Sequence, residues 1–263
     1  MKLLIVADLH YSLPQFDWVL ENAPNYDGVI IAGDLLDIGS PVDLGAQIVV
    51  VLKYLKRLRD MTKVFVCSGN HDLDGTGPGG EKQALWMKEV KRLSIPADGD
   101  TLYIGDAMIT MCAWWDGPAT QAEIGAELDA AAADRRGPWI WVYHAPPPES
   151  PISWSGQRFY GDQALVGWVA RHNPDLVICG HVHEAPFARN GSWVDRIGNT
   201  WLFNAGKQTG NVPTTIAIDT EARQAAWFSF EGGAETVYLD QELERPIEQL
   251  TEMPAWMPAP KLS

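Results

Sequence analysis

Leu3-Leu4-Ile5-Val6-Ala7-Asp8-Leu9-His10 is the stretch that decides how this chain is read. An apolar run with no polar interruption suits a strand buried on both faces, and this one stops on a carboxylate and an imidazole two residues apart. Residues i and i+2 of an extended chain project to the same side, so Asp8 and His10 can face one point. The same design recurs. Val29 to Ala32 runs into Gly33-Asp34, and Val64 to Cys67 into Gly69-Asn70-His71-Asp72. Trp139 to Tyr143 runs into His144, and Leu176 to Cys179 into Gly180-His181-Val182-His183. In α/β sheets, ligands collect beyond the carboxyl ends of strands, where loops converge.

Helical spacing fills the gaps: about Pro14 to Glu21, Leu44 to Arg59, Glu81 to Leu93 after a Gly-rich loop at Gly75 to Gly80, Gln121 to Ala133, and Gln163 to His172. Thr101 to Ile104 and Ala107 to Ala113 read as further strands. Beyond Pro186 strands follow one another without helices, at Trp201 to Asn204, Thr214 to Asp219 and Gln224 to Phe230. Alternating strands and helices followed by strands alone predict mixed sheets with helical outer layers. Residues 1–250 are expected to form one domain. Residues 251–263, with Pro254, Pro258 and Pro260, are expected to form an extended tail.

Bulk composition narrows the partners. Hydrophobic residues make up 46% and charged residues 21% of 263 residues, ordinary for a globular chain able to bury a full core. The formal charge of −14 argues against coating extended nucleic acid, which needs arrayed Lys and Arg. A small phosphorylated substrate stays open, because bound divalent metals reverse the local field. Cys67, Cys112 and Cys179 each end or interrupt an apolar run, as core thiols in a reducing compartment would. No apolar run reaches membrane-spanning length, so a cytoplasmic location is expected, without membrane contact; nothing in the sequence sets an oligomeric state.

Five of the six histidines lie in or beside the strand-end motifs; His172, near a helix end, reads as an ordinary surface residue. Two carboxylates (Asp8, Asp34), one amide (Asn70) and four imidazoles (His10, His144, His181, His183) exceed the needs of one tetrahedral ion. They suit two ions sharing a carboxylate. Oxygen and imidazole donors without thiolate favour Mn, Fe, Zn, Ni or Co. Two metals about 3.5–4 Å apart can hold a bridging hydroxide and clamp a phosphate for in-line displacement.

Asp8-x-His10, Gly33-Asp34-Leu35-Leu36-Asp37, Gly69-Asn70-His71-Asp72, His144 and Gly180-His181-x-His183 resemble, in order, the motifs of the calcineurin-like metallophosphoesterase superfamily. Asn204-Ala205-Gly206-Lys207 is similar to a weaker downstream turn of that family. The resemblance implies a four-layer α/β/β/α sandwich, two mixed β-sheets flanked by helices, with the metals at one end. It implies Asp8, His10 and His183 on one metal, Asn70, His144 and His181 on the other, and Asp34 bridging. His71 would face the substrate and protonate the leaving oxygen or stabilise its charge, with Asp72 as a candidate partner.

The departures bear on substrate. Protein Ser/Thr phosphatases of the superfamily carry Gly-Asp-x-Val-Asp-Arg-Gly and Gly-Asn-His-Glu; here Ile38 stands at the arginine place and Asp72 at the glutamate place. The pattern is closer to the small bacterial phosphodiesterase-like branch. The expected activity is hydrolysis of a small phosphodiester such as a cyclic nucleotide, the alternative a phosphomonoesterase. An interaction module like the retromer subunit of this fold is a third reading, against which all seven ligand positions are filled. Trp114-Trp115-Asp116-Gly117-Pro118 and the segment Pro146 to Tyr160, with Trp154, Arg158, Phe159 and Tyr160, are candidates for an aromatic rim on which a base can stack, although most of the tryptophans are expected in the core. Lys207 and Arg158 are candidate phosphate contacts.

Overall fold

The apolar runs are strands, and they build two sheets. In the computed structural model, which describes residues 1–230, 232–252 and 257, the order is β1 Lys2–Val6, α1 Leu13–Asn22, β2 Gly28–Ala32, α2 Leu44–Arg59, β3 Lys63–Cys67, β4 Gly75–Thr76, β5 Lys82–Gln83 and α3 Met87–Arg92. Then come β6 Thr101–Ile104, β7 Ala107–Met111, α4 Pro118–Asp134, β8 Trp139–Val142, α5 Gln163–His172 and β9 Leu176–Cys179. The chain continues through β10 Val194–Ile197, β11 Thr200–Asn204, β12 Thr215–Asp219, β13 Gln224–Ser229, β14 Gly233–Tyr238 and β15 Glu248–Gln249. One sheet has the order β15-β14-β13-β12-β1-β2-β3, the other β10-β11-β9-β8-β7-β6. Both are mixed: β1, β2 and β3 run parallel beside antiparallel β12, and β11, β9, β8 and β7 run parallel between antiparallel edges.

Alternation along each strand sorts its side chains into layers. Leu3 and Ile5 point between the sheets, where they meet Ile109, Ile140, Ile178 and Phe203 of the opposite sheet. Leu4 and Val6 point outward onto Phe16, Val19, Val51, Leu55 and Val90 of α1, α2 and α3. On the far side Trp139, Trp141 and Val177 pack under Ile124, Leu128, Leu165 and Val169 of α4 and α5. The fold is the expected four-layer sandwich, and its helices shield both faces of strands that carry no polar face of their own.

Several elements differ from the sequence reading. The helix expected over Glu81 to Leu93 is only Met87–Arg92. The Glu81 carboxylate is taken up capping α4, accepting from the backbone N–H of Ala119 (2.9 Å) and Thr120 (2.8 Å), and this holds Lys82 and Gln83 extended against β4. Strands β10, β14 and β15 have no counterpart in the sequence pattern. His172 is not an ordinary surface group: its ring packs on Trp139 and Trp141 and sits 3.1 Å from Asp129. The three cysteines are buried and free. No described helix is long and apolar enough to cross a membrane. Most of the expected tail lies outside the described residues; Met257, which is described, packs on the outer core beside α1 and α2.

Candidate metal centre

The parallel strands β1, β2, β3, β8 and β9 release their chains at the same end of the sandwich. There the loops are tied to one another before any side chain is considered. Asp8, His10 and Tyr11 donate backbone hydrogen bonds to the carbonyls of Gly33, Asp34 and Leu35 (3.1, 2.9 and 2.9 Å), which laces the loop after β1 onto the loop after β2. Gly180 donates to the carbonyl of His144 (2.9 Å), tying the loops after β8 and β9. Asp8 (φ 54°), His10 (φ 43°), Asp34 (φ 52°) and His181 (φ 73°) all sit in the left-handed region, which L-residues enter at a cost and keep only where the surroundings impose it.

The side chains converge. His183 Nε2 lies 3.2 Å from Asp8 Oδ1 and 3.0 Å from His10 Nε2. His10 Nε2 is 3.6 Å from Asp34 Oδ2. His144 Nε2 is 3.2 Å from Asp34 Oδ2 and 3.8 Å from Asp8 Oδ1. His181 Nδ1 is 2.9 Å from Asn70 Oδ1. The seven expected ligands are thus brought together around the Asp8 and Asp34 carboxylates, of which Asp8 is fully buried and Asp34 nearly so. Three donor groups cluster tightly enough to share an ion: Asp8 with His10 and His183, Asp8 with Asp34 and His144, and His10 with Asp34 and His71.

His144 supplies the test of fit. Its Nδ1 donates to the Ala32 carbonyl at 2.7 Å, which leaves the lone pair on Nε2. That nitrogen is buried, lacks a hydrogen-bond partner, and points at two carboxylates. A lone pair facing carboxylate oxygens repels them unless a cation lies between. The facing His10 and His183 nitrogens pose the same problem. In the metal-free centre a proton must serve instead: burial opposes the charge, but Asp34 and Asp8 prevail and push His144 up to about 9. His181, buried beside His144, is pulled down to about 4, a neutral donor at working pH. Burial works against the Asp8 charge, yet His10 and His183 hold that carboxyl well below its usual range. The donor set therefore fits divalent metal ions.

A family model described as calcineurin-like phosphoesterase matches residues 1–185. The chain belongs to that family. Among solved structures it is similar to the Thermus thermophilus protein TT1561, at 12% identity and a TM-score of 0.59, covering 90% of this chain and 98% of that one. It is also similar to the purple acid phosphatase PPD1 of yellow lupin, at 13% identity and a TM-score of 0.50, covering 93% of this chain and 52% of that one. The E. coli phosphoesterase YfcE aligns over 91% of this chain and all of its own, at 17% identity and a TM-score of 0.46. None of the curated proteins compared by sequence matches this chain. As expected of this family, the centre offers Asp and His groups for divalent metals.

His71 stands at the rim. Its Nδ1 accepts from the Ile38 N–H at 3.3 Å and lies 3.6 Å from Asp37 Oδ1, while its ring meets His10 edge-on at 4.4 Å. Partial burial draws it below its usual value. Asp72 sits beneath the rim, accepting from Leu35, Leu36 and Gly69 N–H at 2.9–3.1 Å, so it pins the loop after β2 to the loop after β3. Burial first, then the Asp34 charge, pushes its carboxyl up to about 8. The carboxylate beside the His71 ring is Asp37, a role the sequence reading did not assign although Asp37 closes the Gly33-to-Asp37 motif. Lys207 donates its backbone N–H to the His183 carbonyl (3.1 Å), and its half-buried ammonium has no partner among the described residues. Burial draws it down while Asp8, Asp37 and Asp34 pull the other way. Arg158 instead lies over the Tyr160 ring, 4.3 Å from its centroid.

Proposed function

We propose that this protein is a dinuclear metal-dependent phosphoester hydrolase, with residues 1–250 as its catalytic domain and a small diester, such as a cyclic nucleotide, as its substrate. The reading rests on one observation above others: the buried, partnerless Nε2 of His144 aimed at two carboxylates, within a cluster of four imidazoles, two carboxylates and an amide. In this reading Asp8, His10 and His183 would hold one ion, Asn70, His144 and His181 would hold the other, and Asp34 would be shared. Bound there, two ions supply an activated water and draw charge from the phosphoryl oxygens. Water's oxygen adds to phosphorus, one ester P–O bond breaks, and the leaving oxygen takes a proton, giving a monoester and a hydroxyl group, which a cyclic diester keeps in one molecule.

His71 is the proton source. The neutral ring accepts the Ile38 N–H at Nδ1, and the charged ring turns that nitrogen into a donor facing Asp37, so both protonation states have a partner. Asp72 acts on this residue through the backbone it fixes. Lys207 faces the phosphate as an unpaired cation. Diester is favoured over monoester because the arginine place of the protein phosphatases holds Ile38, exposed and uncharged. Chelation followed by gel filtration is expected to abolish hydrolysis of bis(p-nitrophenyl) phosphate, and manganese, iron, zinc, nickel or cobalt to restore it. Full activity in a verified metal-free sample rejects the reading; a preference for monoesters across a panel of nucleotides and glycerophosphodiesters rejects only the diester part.

A further inference from the structure

Two cavities open on the metal centre, and Tyr160 lines both. One, of about 640 Å³, lies between the loop carrying Trp114 and Trp115 and the loop carrying Phe159 and Tyr160, and reaches His181. The other, of about 480 Å³, lies across Tyr160 between Ser155, Gln157 and Glu184 and reaches His181 and His183. No lysine or arginine lines either. The nearest guanidinium, Arg158, lies over the Tyr160 ring rather than in either lining.

The first cavity is aromatic by construction. Trp115 Nε1 donates to Asp162 Oδ2 at 2.8 Å, the Tyr143 hydroxyl donates to the same oxygen, and Asp162 Oδ1 caps α5 through Ala164 N–H at 2.8 Å. The carboxylate is thereby spent inside the wall, and the indole is held by its edge. Trp114 packs on His181 with ring centroids 5.2 Å apart, and its backbone N–H is held by Ser68 Oγ at 2.9 Å. Phe159 is 46% exposed and Tyr160 39%. Large aromatic rings left in water beside a cavity, with rigid partners opposite, match what a flat apolar ligand needs. Gln121 adds a neutral amide, and Asp116 a carboxylate, for hydrogen bonds at the edge of such a ligand.

We infer that the cavity between Trp115 and Phe159 is a subsite for a nucleobase or similar uncharged aromatic group carried by the diester. The inference rests on the diesterase reading, and its test must separate the two. Adenosine, which carries no phosphate, is titrated into the manganese-loaded protein by calorimetry, with ribose as control. Adenosine is expected to bind and ribose not. Phe159→Ala, an exposed position, and Trp115→Leu are expected to weaken adenosine roughly tenfold each, and Trp115→Phe to retain most of the affinity. With thymidine 5′-(p-nitrophenyl phosphate) as substrate, the same two variants raise KM by a similar factor and leave kcat and metal content close to wild type. Adenosine that fails to bind, or binds equally to all variants, overturns the subsite. Adenosine binding with no hydrolysis of any ester by the loaded protein keeps the subsite and removes the hydrolase.

Discussion

The floor of the site and its aromatic wall are built by opposite means. The floor consists of strand ends whose residues are buried or half-buried, partly left-handed and laced by backbone hydrogen bonds between loops. The wall stands on longer connections, its rings half-exposed and positioned by single side-chain pins such as Asp162 and Ser68. Geometry fixed by backbone leaves little room for adjustment, so the floor is suited to chemistry common to many substrates. Geometry fixed by side chains can vary without disturbing the sheets, so the wall is suited to choosing among them.

The sharpest way to break this contrast is to damage the floor without touching a ligand. A Cβ at Gly69 would lie 2.2 Å from Asp34 Oδ1 and 2.6 Å from the Asp34 backbone nitrogen. Gly69→Ala is therefore expected to displace the shared carboxylate and weaken metal binding by ~10²-fold or more, with activity falling in parallel. Metal analysis after dialysis and kcat on bis(p-nitrophenyl) phosphate measure it. Normal metal content in this variant would show that the floor adapts as the wall does.

His71 tests where floor gives way to substrate. His71→Ala is expected to keep its metals and lower kcat by ~10²–10⁴-fold on a poor leaving group, with a smaller loss on p-nitrophenyl esters, which scarcely need protonation. Loss of metal instead would place His71 on the ions, as its closeness to His10 and Asp34 allows.

The same contrast explains what was legible. Floor residues could be named because buried strands on both faces read as apolar runs, and chemistry begins where each run stops, as at Val6-Ala7-Asp8 or Tyr143-His144. Local signals of this kind need no knowledge of the fold. Strand β10, Val-Asp-Arg-Ile, carries two charges in four residues and shows no run at all. Glu81 looked helical because its partner, the start of α4, is distant in sequence. Asp37 lies beside His71 of another loop, which spacing along one strand cannot reveal.

Lys207 should yield a smaller effect than His71, because it stabilises charge without moving a proton. Lys207→Met is expected to lower kcat/KM roughly tenfold, the order of one charged hydrogen bond. The dianionic p-nitrophenyl phosphate should lose more than the monoanionic diester, since the second charge gains more from an ammonium. Equal losses on both would remove Lys207 from the phosphate, and no loss would make it a bystander at the rim.

The smallest effect concerns a pin beneath the wall. Asp98 accepts from Ser68 N–H (2.7 Å) and Ser68 Oγ (2.6 Å), and Ser68 Oγ in turn holds Trp114 N–H. Burial pushes the Asp98 carboxyl up to about 6, against the Ser68 hydrogen bonds and Lys91, which pull it down. An unfolded aspartate titrates near ~3.9. Between those values the folded chain holds a proton that the unfolded chain has lost, so the contribution of this site to stability is full below ~4 and is lost as pH rises through about 6. Asp98→Asn cannot titrate. The melting temperature of wild type minus that of the variant is therefore expected to fall by a few degrees between pH 4 and pH 6.5 and to level off above, the other carboxylates cancelling in the difference. A difference that is flat across this range would mean that Asp98 stays charged and that Trp114 is held by an ionised pin. Ser68 donors that outweigh burial would show instead as a difference that rises with pH below ~4, and the wall would then be secured by charge as firmly as the floor.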